Sequence, residues 1–501
     1  MTTRHAALVA AALFLAAPAL AAPASSNTLG RDREPVVLPG SALPEYAGLD
    51  PDRLVAFRYE SGWVQIPLQV DERVTVDFGT VYNMEPSGYT VLTYADTSTF
   101  TGADSVPGID ADDEVAMMAA EAGALAGTVA EPPGVVSGSG VEVCLTNPLT
   151  LATAYVYLFE SDGSLPPGAG ADSIAYVFDL LSGPYKTTYN TEVGPNPENS
   201  SVVTGHYEIH FSDRWIRDET RVTAGGAPGI DVLDRHKNLF APGDCSRSED
   251  TFSAGEGAFL FNRTGPVRAL RGYVGANSGP TTYREHRFYD EREDIRTVLR
   301  VHAIYGMMDY FDYSAAASGM RYANDLNAGG SDVDGVPDSV TPGAVTWEMV
   351  TGAQGTITAV TSVMTDIPGF TRTSYYSDDS TPETTQCTGD SSEYGASGLW
   401  IDEPIPNTDP AVGPAYAFEG LRHVAYGAGD QTNAFAEDLA AEIGHPLEVS
   451  ISPFAPTAVD EAGGDGGGEA IAGSMHLSPN PARDVVAVTG DLPRAGRLAV
   501  S

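Results

Sequence analysis

The chain has 501 residues, of which 42% are hydrophobic, and its formal net charge at pH 7 is −41. This composition excludes wholesale disorder, because it supplies enough apolar side chains to bury a large core. The negative field excludes nucleic acid as a general partner and opposes binding to anionic membranes. Two explanations of the acidity are open: a solvated surface suited to salty water, and calcium binding.

Residues 1–21 have the pattern of a secretory signal peptide. Arg4 supplies the positive charge, residues 6–17 form the apolar run, and residues 19–21 form a small-residue cleavage site. No later stretch has 18 uncharged apolar residues, so the sequence predicts no transmembrane segment. We therefore expect a protein exported through the periplasm and either secreted or held at the outer cell surface.

Strand signals dominate from residue 34 to about residue 458, with Gly- and Pro-rich turns between them. They predict strands at 154–159, 174–178, 206–211, 267–274, 296–304 and 356–363. Two short helices are predicted at 112–126 and 432–444. The expected fold class is mainly β: a large antiparallel β-sandwich with few short helices.

A Pro- and Gly-rich interruption near residue 135 divides the chain into an N-terminal β-rich region, 22–135, and a main β-sandwich domain, 136–458. Within the first region, "IPLQVDE" and the later "DADDEVAMMA" together resemble the opening of uncharacterised secreted bacterial proteins, some of them associated with polysaccharides. Sandwich folds carry both sugar-binding and sugar-cleaving functions, so the fold class does not choose between them.

Export permits disulfides, and the chain contains three cysteines. Cys144 lies in an apolar, strand-like run and is expected to be a buried free thiol. Cys245 and Cys387 lie in polar loops, and they are the expected pair if the chain forms one disulfide.

Basic residues concentrate between Arg214 and Arg300, which hold 14 of the chain's 27 lysines and arginines. Strand alternation places Tyr207, Ile209 and Phe211 on one face of the segment 206–211. If the polar faces of several strands meet on one sheet, they form a groove of Arg, His and Tyr. The predicted substrate-binding residues are His206, Glu208, His210 and Arg284.

Such a groove suits an acidic polysaccharide, because arginine binds a carboxylate or sulfate through two hydrogen bonds. It also suits β-elimination at a uronic acid, in which a cation neutralises the carboxylate while His or Tyr transfers protons. The candidate catalytic residues are His302, Arg300, Tyr305, Tyr283 and Arg287. The alternative is that the arginines form cross-strand ion pairs with the interleaved Glu285, Asp290, Glu291, Glu293 and Asp294.

The loop "GGSDVDGVPDS" at 329–339 is the candidate metal site. Gly335 permits a tight turn that would direct Asp332, Asp334 and Asp338 toward one Ca²⁺, which prefers six to eight oxygen ligands. The run resembles half of an extracellular calcium loop and lacks the bidentate Glu of an EF-hand. The alternative is a polar Asx turn. A second acidic run, 110–114, has the pattern of the first turn of the helix predicted at 112.

Residues 459–474 are Gly-rich and acidic, which is typical of a linker. The following "HLSPNPARDVVAV", with Leu477–Ala482 and then Val485, Val486 and Val488, resembles the start of the C-terminal sorting domain of the type IX secretion system. The resemblance implies a small C-terminal β-sandwich at 475–501, truncated here, and the type IX machinery as a partner.

The sequence thus predicts a secreted or cell-surface protein that binds or processes acidic polysaccharide. The alternative is a non-catalytic structural or adhesive surface protein stiffened by Ca²⁺. No nucleophile elbow, zinc-protease motif or P-loop offers a different chemistry.

Overall fold

The structure is a computed structural model. It describes residues 27–77, 90–166, 168–170, 173–182, 196–242, 247–254, 257–276, 279–382 and 388–455, with the backbone of two further strands at 475–478 and 487–490. In this part of the chain, no helix is both long and apolar enough to cross a membrane.

Twenty-nine strands and two α-helices make up the described chain. The helices are α1 (Glu249–Ala254) and α2 (Ala434–Gly444). The strands are β1 (Pro35–Pro39), β2 (Leu54–Tyr59), β3 (Trp63–Ile66), β4 (Gln69–Asp71), β5 (Arg73–Asp77), β6 (Thr90–Tyr94), β7 (Glu114–Met118), β8 (Val141–Thr146), β9 (Thr153–Glu160), β10 (Ile174–Val177), β11 (Ser200–Thr204), β12 (Tyr207–Asp213), β13 (Ile216–Val222), β14 (Leu233–Phe240), β15 (Ala258–Thr264), β16 (Ala269–Ala276), β17 (Gly279–Phe288), β18 (Arg292–Val298), β19 (Ile304–Tyr313), β20 (Arg321–Asn324), β21 (Asn327–Asp332), β22 (Glu348–Gly352), β23 (Gly355–Thr365), β24 (Thr373–Asp379), β25 (Glu393–Ile405), β26 (Phe418–Gly427), β27 (Glu448–Pro453), β28 (Met475–Ser478) and β29 (Ala487–Gly490).

These strands form six sheets, and every pairing between them is antiparallel. The largest sheet has nine strands in the order β15-β16-β17-β18-β26-β23-β22-β20-β21. A four-stranded sheet, β14-β19-β25-β24, and another, β10-β11-β12-β13, accompany it. The mainly β, antiparallel fold predicted from the sequence is confirmed.

The N-terminal strands and the last strand of the body share one sheet. Its order is β29-β28-β27-β8-β9-β2-β3, and it shares an apolar core with the sheet β1-β7-β4. Strand β2 pairs with β9, and β27 pairs with β8. Strands on both sides of residue 135 thus belong to one sheet, and the domain boundary near that residue stays a prediction. The strands β28 and β29, from the segment that resembles a sorting domain, extend the edge at β27.

The two faces of the nine-stranded sheet place the functional residues. We call the front face the one that carries Arg287, Asp294 and His423, which lie directly opposite one another on β17, β18 and β26. The back face carries the alternating residues of the same strands, whose side chains lie on the other side of the sheet. It packs against both four-stranded sheets through an apolar core that includes Phe288 and Ile295.

Two of the strands and helices predicted from the sequence differ clearly from the structure. The segment 112–126, predicted as a helix, instead forms β7 and a short 3-10 turn. Strand β7 lies between β1 and β4, and Val115, Ala116 and Met117 are all buried, so its apolar run lacks the alternation of a half-exposed strand. The helix at 432–444 is confirmed as α2. The strand predicted at 296–304 ends at Val298, although Leu299 and Val301 are buried as expected and Ala303 is exposed.

Buried ion pairs hold the sheets together. The largest fully buried side chains include five arginines, and each of four has a carboxylate partner. Arg268 donates to Asp71 and Glu114, while the other three form the pairs Arg217–Glu293, Arg271–Glu198 and Arg284–Asp309. Of the carboxylates that the ion-pair alternative named, Glu293 is a partner in these four sets, whereas Asp71, Glu114, Glu198 and Asp309 are partners that the sequence analysis did not name.

We predict that the Arg271–Glu198 pair behaves as a buried unit. Its two bonds are 2.9 Å and 2.5 Å long, and neither side chain is exposed. Arg271→Met should lower the free energy of unfolding by about 3–5 kcal/mol, because it leaves a buried carboxylate unpaired. The double variant Arg271→Met/Glu198→Leu should lose less than Arg271→Met alone. Urea unfolding of the wild type, Arg271→Met, Glu198→Leu and the double variant measures this coupling. Losses of stability in the two single variants that simply add up in the double variant would contradict it.

Candidate functional site

The predicted catalytic residues occupy two different environments. Tyr283 is buried on the front face, where its hydroxyl contacts Glu285, and Arg287 pairs with the same carboxylate at 2.5 Å. His302 lies on the loop after β18, with its Nδ1 2.9 Å from the Ala303 carbonyl oxygen. Tyr305 is 66% exposed, and Arg300 is half-buried on the loop of His302. Of these five residues, Arg287 alone lines the cavity described below.

The predicted substrate-binding residues also lie in different environments. The alternation at 206–211 is confirmed, since Tyr207, Ile209 and Phe211 are buried and Glu208 and His210 are half-buried. His210 binds Asp218 and Asn199 through its two ring nitrogens. Arg284 is buried on the back face, where it donates to Asp309 and Thr297. These residues therefore do not form one groove.

His206 sits between two carboxylates at the turn before β12. Its Nδ1 lies 3.3 Å from Asp290 Oδ2, and its Nε2 lies 3.5 Å from Glu291 Oε1. One ligand atom from each residue lies within 4.8 Å of the others. The hydrogen bond with Asp290 raises the pKa of His206, and although burial lowers it, the charge of Glu291 adds to the increase.

The acidic loop forms the expected tight turn, with Gly335 at φ +77°. Asp332, Asp334 and Asp338 are exposed, and Asp378 anchors the loop by accepting from the backbone N–H groups of Asp334 and Gly335. Two sets of three converging ligand atoms occur among the described residues, and these three aspartates form neither of them. Calcium binding at this loop stays a prediction.

The run at 110–114 begins a strand and not a helix. Its carboxylates bond to nearby backbone: Asp113 accepts from the amides of Arg73 and Asp110, and Asp110 accepts from the amide of Asp112. Burial, with a hydrogen bond to Asp110, raises the pKa of Asp112 to about 6.

Cys144 is a free thiol, as predicted, but it is half-buried on β8 and not fully buried as expected. Cys245 and Cys387 lie outside the described residues, so their pairing stays a prediction. Thr388, the residue after Cys387, donates a hydrogen bond to Glu249, which is four residues after Cys245.

The main candidate site is a cavity on the front face, which we call the basic pocket. Its volume is about 140 Å³. Strand β1 and the C-terminal end of α2 cover it, and β17, β18 and β26 form its floor. Its polar lining residues are Glu34, Arg287, Tyr289, Arg292, Asp294, Arg296, His423 and Glu442, and its apolar ones are Pro35, Val37, Leu421, Ile443 and Pro446.

His423 and Asp294 form an oriented pair in this pocket. His423 Nδ1 lies 2.7 Å from Asp294 Oδ1 and 3.0 Å from an Arg292 nitrogen. Burial acts to raise the pKa of Asp294, but Arg292 and His423 outweigh it and hold the pKa below its usual value. An ionised carboxylate at 2.7 Å accepts a hydrogen bond, so Nδ1 carries a hydrogen in this contact. Nε2 is buried and has no hydrogen-bond partner in the described chain.

Positive groups around the pocket are held in place by carboxylates. Arg292 donates two hydrogen bonds to Asp294, and Arg296 donates two to Glu419. Arg287 pairs with Glu285, while its Nε is buried and has no hydrogen-bond partner in the described chain. The arrangement is preorganised, since these guanidinium groups are fixed before any ligand arrives.

Tyr289 is a protonated phenol in the pocket. It is 1% exposed, and burial raises its pKa, although Arg268 and Arg287 act to lower it. At neutral pH the hydroxyl therefore keeps its hydrogen and can act as an acid.

Sequence analysis found Arg287 and missed His423. The segment "LRHVAYG" looks like an ordinary buried strand, and His423 is distant in sequence from the basic strip. Its signal is a lone histidine in an otherwise apolar alternation, with Asp294 as a partner that only the β18–β26 register reveals.

Comparison with known proteins does not assign a family. No protein-family model and no curated protein matches the chain. The solved structures to which it is similar include heparan sulfate lyase HepC from Pedobacter heparinus, at 7% identity and a TM-score of 0.30, with 54% of this chain covered. The chain spans 39% of the length of that lyase.

A putative aldose 1-epimerase from Escherichia coli K12 is also similar, at 10% identity and a TM-score of 0.23, with 50% of this chain and 99% of that chain covered. Proteins that superpose at such TM-scores do not share a demonstrated fold. Neither similarity therefore contributes to the function argued below.

We predict that His206 stabilises the fold in a pH-dependent way. Because its pKa is raised above the ordinary value of 6.5, its contribution is present below that pH and is lost as the pH rises through the folded-state pKa. His206→Gln should lower stability at about pH 5.5 by up to about 1 kcal/mol, and should have less effect at about pH 8.5. Urea unfolding at both pH values tests this, with His302→Gln as the matched control. An equal loss at both pH values would contradict it.

Proposed function

We propose that the protein binds an acidic polysaccharide by inserting one anionic sugar residue into the basic pocket. The observation that carries the proposal is the convergence of Arg287, Arg292, Arg296 and His423 on one cavity of about 140 Å³. Typical pockets for drug-sized ligands hold about 300–1,000 Å³, so this one suits a single charged group or ring and not a longer chain.

Charge and hydrogen bonding support an anionic group in particular. Each of the three arginines that line the cavity pairs with a carboxylate, and of these carboxylates Asp294 also lines the cavity. Two buried nitrogens, Arg287 Nε and His423 Nε2, have no hydrogen-bond partner in the described chain. A sugar carboxylate or sulfate would accept from Arg287 and compensate for the cost of the buried donor.

The pair of His423 and Asp294 favours a second step, proton abstraction from the bound sugar. A neutral imidazole with Nε2 free is a suitable base for the proton next to a uronate carboxylate, and Asp294 would stabilise the imidazolium that forms. The Tyr289 phenol would protonate the leaving oxygen. These roles make β-elimination the reaction class that the pocket supports best.

We propose, further, that this activity takes place outside the cell. The signal-peptide pattern at 1–21 and the segment that resembles a type IX sorting domain support export to the surface or the medium. Cell fractionation with an antibody against the body of the protein tests this independently of any activity.

We predict that β-elimination depends on His423. The purified protein, incubated with a panel of uronate-containing polysaccharides, should produce the ultraviolet absorbance of unsaturated uronates. His423→Gln should abolish that absorbance while retaining binding, because binding depends mainly on the arginines. Arg287→Gln should weaken binding about tenfold, the effect of losing one charged hydrogen bond.

His302→Ala is the matched control, since His302 is half-buried on a loop and does not line the pocket. Thermal melting establishes that each variant is folded. Binding without absorbance in the wild type would reduce the proposal to recognition. Absence of both signals would favour the structural or adhesive alternative.

A further inference from the structure

Lys237 is an anomaly in a chain that otherwise uses arginine. Of the 27 basic residues, all but Lys186 and Lys237 are arginines. In the part of the chain that the structure describes, the other ion pairs use arginine or histidine. Lys237 is fully buried, and so is the carboxylate that it contacts, Asp312.

A buried ion pair alone gives a poor explanation for a lysine at this position. An ammonium group is more strongly hydrated than a guanidinium group, and it lacks the planar fork that satisfies both carboxylate oxygens. Arginine would serve better, as it does elsewhere in this fold. Lysine has one property that arginine lacks: it can lose its proton and become a nucleophile.

The Lys237 amine and the Asp312 carboxyl group are close enough to react. Lys237 Nζ lies 2.6 Å from Asp312 Oδ2. Neither Asp312 oxygen, however, accepts a hydrogen bond of acceptable geometry. The amine and the carboxyl group are nevertheless in direct contact.

The surroundings favour the protonated form of Asp312. Burial raises the pKa of Asp312 to about 8, although the charge of Lys237 acts to lower it, and the nearby carboxylate of Glu393 adds to the increase. Moving one proton from the ammonium to the carboxylate gives an amine and a carboxylic acid in contact, which costs less in an apolar interior than two charges.

Glu393 is placed to relay protons. It is 5% exposed on β25, the strand next to β19, and accepts a hydrogen bond of 2.6 Å from the Tyr375 hydroxyl. Tyr375 in turn packs against Tyr310, the residue directly opposite Lys237 on β19. Two tyrosine rings and a buried carboxyl group thus surround the pair.

We propose that Lys237 and Asp312 condense into an intramolecular isopeptide bond that cross-links β14 to β19. Nζ attacks Cγ of the protonated Asp312, and a C–N bond forms. Glu393 takes a proton from the nitrogen and returns one to the departing hydroxyl, so that the C–O bond breaks and one water leaves. No oxidant, reductant or cofactor takes part.

The chain's lysine content provides a direct test on the wild-type protein. A lysine-specific endopeptidase acting on the fully unfolded full-length chain should cut after Lys186 only, because a condensed Lys237 is no longer a substrate. Two fragments are expected, and the larger should weigh one water less than its sequence. Three fragments with the masses of the uncondensed sequence would overturn the proposal.

Variants test the chemistry separately. Asp312→Asn should form the same amide with loss of ammonia, and so reach the wild-type mass. Glu393→Gln, which preserves size, should give three fragments if Glu393 is the proton relay. A cross-link that still forms in Glu393→Gln would overturn that role. The proposal is independent of the basic pocket, and sugar binding does not bear on it.

Discussion

Pairing of buried charges across neighbouring strands is the constraint on which the rest of this structure depends. The nine-stranded sheet is covered on both faces, yet β17, β18 and β26 carry charged residues on both. Each of these charges must meet a partner at a fixed register, because an unpaired buried charge costs several kcal/mol. Asp309 illustrates the demand: Arg284, Arg422 and His236 all contact its carboxylate.

The same requirement creates the candidate site. On the front face, Arg292 and Asp294 pair along one strand, and His423 completes the set from the next. The pairing leaves His423 Nε2 and Arg287 Nε without partners at the cavity that β1 and α2 cover. The proposed function assigns ligand binding to the same residues that stabilise the sheet. The back face uses the same chemistry, and the cavity beside Asp309 and Arg422 on that face is smaller, at about 20 Å³.

Sequence patterns predicted the class of fold well, because turn residues and β-branched runs are local signals. Alternation at 206–211 gave the correct buried face. The failure at 112–126 has a physical cause: a central strand buried on both faces shows no alternation, and its alanines and methionines suit a helix. The candidate site could be predicted only in part. Composition identified the arginine-rich segment, but the partner of Asp294 lies more than a hundred residues away and depends on the strand order.

The sequence analysis also did not predict which face of the sheet each arginine occupies. Arg284 and Arg287 lie three residues apart on one strand and therefore face opposite sides of the sheet, one in a closed network and the other in the pocket. His302 looked more reactive than His423 because it lies near many arginines in sequence. The strand ends at Val298, so His302 does not share the regular face of the arginines that precede it in sequence.

In the proposed function, His423, oriented by Asp294, contacts the ligand in the basic pocket. Histidine side-chain NMR of the labelled protein, titrated with an acidic disaccharide, tests this contact. We expect the His423 ring signals to shift with saturation while those of His302 and His210 do not. Shifts confined to His302 or His206, with His423 unchanged, would contradict it and move the ligand to the exposed surface.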